Sequence, residues 1–148
     1  MAGSDRFQAR LAVYLLLNRE GEYLMMRRAN TGYADGHYSL PSGHVDGEEP
    51  VVAAMVREAE EEVGVRVQLE DLRLRHVIHR AARDDTGEYI DFYFETSVWE
   101  GEPQNCEPDK CDELCWAHPD QLPDPLAGGI AQAFEAMKND EPYSHEGF

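Results

Sequence analysis

Glu58, Glu61 and Glu62 stand at i, i+3 and i+4, with Arg57 directly before them. On a helix those spacings put three carboxylates on one face, within reach of one another. Like charges so placed cost an isolated helix roughly 0.2–0.5 kcal/mol per pair, and more where partly buried. A hard divalent cation relieves such a cluster. Carboxylate oxygens suit Mg²⁺ or Mn²⁺, and Mg²⁺ usually takes one or two protein carboxylates and completes its shell with waters and substrate phosphates. The chemistry indicated is therefore metal-assisted work on phosphate, with Glu58, Glu61 and Glu62 as metal ligands. Arg57 can pair with Glu61 one turn on, and its guanidinium can hold a carboxylate in a fixed orientation. A merely solvated acidic face would show the same three glutamates, so the flanking residues have to decide.

Those residues define a helix. From Pro50 to Val63 there is no internal Gly or Pro, the segment is rich in Ala, Glu and Val, and Gly64 is placed to stop it in a left-handed conformation. At about 100° per residue, Val52, Val56, Ala59 and Val63 fall on one stripe, the face expected to pack against a sheet. Asp46 and Glu49 precede the helix, where negative charge is favoured and a capping-box-like pair can form. The complete pattern is Gly43-x5-Glu49-x7-Arg57-Glu58-x2-Glu61-Glu62-x-Gly64. Seven fixed positions at these spacings reproduce the Nudix box, here running from Gly43 to Val65, and the chain resembles the Nudix hydrolase family. The departure is Ala59, where the family usually carries a larger aliphatic residue.

The resemblance implies an α/β fold, a Nudix-type α/β/α sandwich in which a mixed sheet has the box helix on one side and the C-terminal helix on the other. Pattern alone supports an α+β domain. The resemblance also makes the carbonyl of Gly43 a metal ligand, and it sets a strand pair beside the box, so Arg27 or Arg28 is expected to meet substrate phosphates. Catalytic roles fall to Glu61, Glu58 and Arg57, with the general base left open between Glu61 and another glutamate. The implied reaction is hydrolysis of a nucleoside diphosphate linked to another moiety, with Mg²⁺ or Mn²⁺ as cofactor and a small-molecule nucleotide as partner. A homodimer is an expectation at family level only. His44 reads as a structural or solvated loop histidine.

The chain has 148 residues, which makes it one domain by length. A net charge of −17 argues against non-specific binding to nucleic acid or anionic membrane, since both need clustered Lys and Arg. It also repels anionic substrates, so a phosphorylated ligand needs cations and local basic residues. Met1–Asp5 lacks the layout of a signal peptide, and the apolar run from Leu11 to Leu17 is too short to span a bilayer, so a cytoplasmic location is expected. Cys106, Cys111 and Cys115 form an odd, irregularly spaced set, read as reduced thiols and not a zinc site.

Around the box, Ala9–Leu17 reads as a central strand covered on both faces, joined through Asn18–Gly21 to a strand over Glu22–Arg27. The segment Tyr38–Gly43 resembles the family's Trp-x-Leu-Pro-Gly-Gly lead into the box, with Tyr38 for the aromatic and Ser42 for the first Gly. Arg66–Arg80 reads as mostly extended, hairpinned through Asp84–Gly87 to a strand over Tyr89–Trp99, whose aromatics are better explained by packing than by base stacking. Asp112–His118 reads as a last strand with Trp116 in the core. After three prolines a helix is expected from about Leu126, with Ile130, Ala131, Phe134 and Met137 inward. Residues 139–148 read as a loosely ordered tail in which Tyr143 and Phe148 can tuck against the body.

Substrate choice lies outside the box. Arg66–Trp99 holds no proline of the kind that ADP-ribose hydrolases of the family carry, and Tyr89 comes late for a diadenosine polyphosphate hydrolase. A nucleoside triphosphate pyrophosphohydrolase, releasing the monophosphate and pyrophosphate, is the preferred reading. A hydrolase of nucleotide sugars or dinucleoside polyphosphates is the alternative, and a non-catalytic nucleotide-binding module is the contrasting class. Such modules usually lose box carboxylates, and this chain retains them.

Overall fold

Strand β1 (Arg10–Arg19) is the axis of the sheet. Its odd positions Val13, Leu15 and Leu17 belong to one apolar core, while Leu16 belongs to a second core on the opposite face. A strand without polar alternation is buried on both sides, and helices supply both covers. The computed structural model describes residues 6–148, so Met1–Asp5, where the signal-peptide reading falls, lies outside the described residues.

The strands are β1, β2 (Glu22–Arg28), β3 (Tyr38–Ser39), β4 (Ser42–His44), β5 (Arg73–Arg80), β6 (Tyr89–Thr96), β7 (Cys111–Ala117) and β8 (Tyr143–Glu146). They form one mixed sheet in the order β3-β2-β1-β6-β5-β8, with β4 on β1 and β7 on β2. The two expected hairpins are present, β1 with β2 and β5 with β6, both antiparallel. β1 runs parallel to β6 along Arg10–Leu17, which fixes the centre of the sheet. β4 lies antiparallel to the other edge of β1, pairing Ser42 with Tyr14, Gly43 with Val13 and His44 with Ala12.

Helix α1 (Val51–Val63) packs into the core that holds Val13, Leu15 and Leu17, and α2 (Ile130–Lys138) into the core that holds Leu16, Ile78 and Tyr93. The α/β/α arrangement is as expected. Gly64 ends α1 at φ 73°, its N–H on the Glu60 carbonyl at 3.0 Å. The start differs slightly: Pro50 is extended at the N-cap position and makes no side-chain cap. The inward stripe is also corrected, because Met55 is fully buried at its centre while Val56 is only partly covered.

The C-terminal third departs most from expectation. Leu126 does not begin a helix; it bridges Tyr38, and α2 starts only after Gly129, which is left-handed at φ 86°. Ala133 faces the core and Ala131 is exposed. Nor is the tail loose: β8 adds in parallel to β5, with the Val77 N–H on the Pro142 carbonyl at 3.0 Å and the Ala81 N–H on the Glu146 carbonyl at 2.9 Å. Buried His76 pins it. Gln132 donates to Ser144 Oγ at 2.7 Å, Ser144 Oγ lies 2.8 Å from His76 Nε2, and His76 Nδ1 lies 2.7 Å from the Glu141 carbonyl. Since the Glu141 carbonyl can only accept, Nδ1 of a neutral His76 carries the proton, and the Ser144 hydroxyl donates to Nε2. A polar segment is thus ordered by hydrogen bonds to an edge strand, a pairing that hydrophobic patterning does not report.

Deleting residues 142–148 should therefore free the outer edge of β5. The Val77 and Ala81 amides should exchange with solvent at least about tenfold faster by NMR hydrogen exchange in the truncated chain; unchanged protection would show that β8 does not cover this edge.

Candidate active site

The acids of α1 converge on the short strand β4. Glu58 lies directly against Gly43, so closely that a Cβ added there would stand 2.0 Å from the Glu58 carboxyl carbon. Only glycine leaves room for this approach. One turn on, Glu62 Oε1 accepts the Ser42 N–H at 2.7 Å. The loop from strand to helix and the helix face are thus locked together by backbone and carboxylate.

Arg57 organises the outer side. Its Nη2 meets Glu49 Oε2 at 2.8 Å and its Nε meets Glu49 Oε1 at 3.3 Å, a two-point grip. Its Nη1 donates to Glu58 Oε1 at 2.9 Å and Glu61 Oε2 at 3.4 Å, while Nη2 also reaches the His44 carbonyl at 3.1 Å and Asp46 at 3.3 Å. Glu49 above all keeps the guanidinium charged, and Arg57 in turn holds the Glu49 carboxyl below its usual range. The expected cap therefore takes another form: Glu49 accepts the Asp46 N–H at 2.9 Å and serves Arg57. His44 contributes its carbonyl, with its ring tilted 5.6 Å from Tyr89.

Glu107 joins the cluster from outside the box. The Cys106 N–H rests on the Glu62 carbonyl at 3.1 Å, which brings the next residue's carboxylate against Glu62. Burial pushes the Glu62 carboxyl up to about 8, Glu107 and Glu58 push in the same direction, and the Ser42 N–H opposes them. Glu58 is also raised, by burial first, with Arg57 opposing. Among the described residues neither Glu62 nor Glu107 has an ion-pair partner. No three acid, histidine or cysteine side chains among the described residues converge as a ready-made ligand set, and Glu58 and Glu61 each turn an oxygen to Arg57. Glu62 and Glu107 lie together with no basic side chain paired to either among the described residues, near Glu58 on Gly43, and carboxylate oxygens of this kind suit a hard divalent cation.

Of the residues singled out in the sequence, Arg57, Glu58, Glu61, Glu62 and Gly43 come together. Arg27 and Arg28, at the end of β2, have partners of their own on β7 and in the loop that follows β2. Arg27 Nε pairs with Asp112 at 2.7 Å; Arg28 donates to the Tyr33 carbonyl at 2.8 Å and to Thr31 Oγ1 at 3.1 Å. Glu107 was not legible, since no spacing relates it to the helix and only the fold of the Gly101–Lys110 stretch carries it there. The aromatic residues of β6 pack as expected, Tyr93 stacking on Tyr14 at 4.7 Å.

A family model for the NUDIX domain matches residues 6–137. The structure is similar to that of a MutT NUDIX hydrolase from Burkholderia pseudomallei, at TM-score 0.79 and 30% identity over 87% of this chain and 98% of that one. It resembles in fold the NUDIX domain of NrtR from Shewanella oneidensis, solved with ADP ribose, at TM-score 0.69 and 17% identity over 93% of this chain and 91% of that one. In sequence, 50 residues are 44% identical to an RNA pyrophosphohydrolase of Acidiphilium cryptum; the match spans 33% of this chain and 30% of that relative.

Gly43→Ala should displace Glu58 while leaving the fold intact. Because a shift of about 1 Å at a reacting centre can cost on the order of 10²-fold in rate, hydrolytic activity should fall by about that factor with an unchanged circular dichroism spectrum; near-wild-type turnover would mean that the Glu58–Gly43 contact is dispensable.

Proposed function

The chain belongs to the NUDIX hydrolase family, and on that premise we propose that it is a metal-dependent pyrophosphohydrolase of nucleoside triphosphates, acting as a single domain. The observation that carries this reading is the placing of Glu62, held on the Ser42 N–H, against Glu107 with no basic side chain paired to either among the described residues, beside Glu58 packed on Gly43.

Glu58, Glu61, Glu62 and Glu107 would hold Mg²⁺ or Mn²⁺, with the Gly43 carbonyl as a further oxygen donor. A cation bound there neutralises charge on phosphoryl oxygens and makes a water a better nucleophile near neutral pH. The protein's own groups do the rest. Arg57 fixes the orientation of Glu49, Glu58 and Glu61, and its charge offsets part of their mutual repulsion. Glu61, with a side chain 53% exposed and only its Oε2 turned to Arg57, at 3.4 Å, is assigned to accept the proton of the attacking water through its other oxygen. Water adds to one of the two phosphorus atoms flanking the α,β bridge and the bridging P–O bond breaks: attack at the α-phosphorus expels pyrophosphate, attack at the β-phosphorus expels the monophosphate, and either course ends in monophosphate and pyrophosphate. Arg27 and Arg28 are assigned to the phosphate tail. The Arg27–Asp112 pair is exposed on both sides, a kind of ion pair that contributes little and is readily given up to a phosphate.

Substrate does not transfer from the relatives. The RNA pyrophosphohydrolase match covers a third of this chain, and a net charge of −17 disfavours a long anionic polymer. The ADP-ribose complex belongs to a protein 17% identical, which supports a small nucleotide ligand in general terms. No described helix is long and apolar enough to cross a membrane.

Incubating the protein with a panel of nucleoside triphosphates, nucleotide sugars and dinucleoside polyphosphates, with Mg²⁺ or Mn²⁺, should yield monophosphate and pyrophosphate from triphosphates; binding without turnover would favour a sensor module. Glu62→Gln keeps the shape and removes the charge, so turnover should drop by about 10²–10³-fold, the scale on which one electrostatic group at a reacting centre counts; wild-type-like turnover at saturating Mg²⁺ would remove Glu62 from the site. Arg57→Ala should lower activity yet still bind Mn²⁺ in a calorimetric titration, and absence of binding would make Arg57 indispensable to the metal site itself.

A further inference from the structure

Glu107 lies in an irregular stretch between β6 and β7, so something must hold it against the box helix. We propose that Asn105 is the residue that positions Glu107 at the cation site, an inference that rests on the metal-dependent reading above.

The stretch is fastened at two levels. The Gln104 N–H bonds to the Val63 carbonyl at 3.0 Å and the Cys106 N–H to the Glu62 carbonyl at 3.1 Å. These are final-turn carbonyls that α1 itself leaves without helical donors. The stretch therefore caps the box helix from outside, and the backbone of residues 104–106 is tied to the residues that carry Glu62. Gly64 makes the approach tight: a Cβ there would stand 3.2 Å from Cys106 Sγ.

Asn105 sits between those two anchors and works in the other direction. Its Oδ1 accepts the Glu107 N–H at 3.1 Å, and its Nδ2 donates to the Cys111 carbonyl at 2.7 Å, at the first residue of β7. The Glu107 carbonyl in turn accepts the Lys110 N–H at 2.9 Å and the Cys111 N–H at 3.1 Å. Both backbone polar groups of Glu107 are thereby fixed, one of them by a side chain. The amide of Asn105 joins the α1 cap to the sheet, and Glu107 occupies the junction. Its carboxylate is left with side-chain torsions alone, facing Glu62. The role belongs to asparagine, since one terminal atom must accept and the other donate; aspartate keeps the acceptor and loses the donor.

An ordinary loop-stabilising asparagine would affect melting temperature and nothing specific to the cation. A positioning residue weakens metal binding and acts only through Glu107. Mn²⁺ affinity of the whole chain, followed by the electron paramagnetic resonance of free Mn²⁺, separates the two. Asn105→Ala should weaken Mn²⁺ binding by about tenfold, the scale seen when a group orienting a metal ligand is removed. Glu107→Gln should lose a similar factor, and the double variant should bind no more weakly than Glu107→Gln alone, because the two changes remove one interaction. Asn105→Asp should fall in between, and it carries the test if the alanine protein does not fold. Wild-type affinity in Asn105→Asp and Asn105→Ala, or losses that multiply in the double variant, overturns the proposal. Glu62→Gln in the same titration distinguishes the levels: wild-type binding there removes the metal site altogether, whereas loss in Glu62→Gln with wild-type binding in the Asn105 variants removes the positioning role alone.

Discussion

Mutual repulsion among acids on one turn of a helix is the constraint to which the rest of this structure answers. Glu58, Glu61 and Glu62 cannot be relieved by spreading apart, because the backbone of α1 fixes their spacing. Relief has to come from outside the helix, and it comes from three directions. Arg57 reaches along the helix to Glu58 and Glu61 and back to Glu49 and Asp46. The Ser42 N–H meets Glu62, and Gly43 gives Glu58 a place to lie. What remains, between Glu62 and Glu107, is met by no basic side chain among the described residues and is what a cation would satisfy.

A helix loaded in this way needs its other face to hold it. Met55, Ala54, Ala59 and Val63 are completely buried, against Val13, Leu15 and Leu17 of β1. The small side chain of Ala59, where a larger aliphatic residue is usual in this family, sits inside this contact and not on the carboxylate face. Apolar burial, worth roughly 1.5–3 kcal/mol for each large side chain, outweighs repulsions of a few tenths of a kcal/mol per pair. The sheet accordingly acts as the rigid part of the site, and the carboxylates are presented from it.

Much of this was legible from residue types and spacing, and the reason is that the chemistry itself imposes the spacing. The i, i+3, i+4 acids, the arginine beside them and the left-handed Gly64 are local requirements, written within one segment. The double burial of β1 showed as an unbroken apolar run. Features produced by tertiary contact were not legible. Met55 takes the centre of the buried stripe because of where α1 sits on β1, a matter of rotation that a periodicity of 100° does not resolve against Val56. β8 carries polar residues into the sheet because His76, Ser144 and Gln132 satisfy one another. Gly129 delays α2, turning an expected first turn into a bridge between Leu126 and Tyr38.

Glu107 is the instructive case, because it joins the site through backbone bonds and not through any pattern of its own. A carboxylate on a flexible loop would lose several torsions on binding a cation, and that entropy would count against affinity. Tying residues 104–107 to the end of α1 and the start of β7 removes most of that loss in advance. The same bonds complete the carbonyls at the end of the helix that carries Glu62, so the element that positions one acid also terminates the element that carries the other. Helix termination and the placement of these carboxylates are then a single structural feature. A substitution that loosens this segment acts on both carboxylates at once, even though it touches neither.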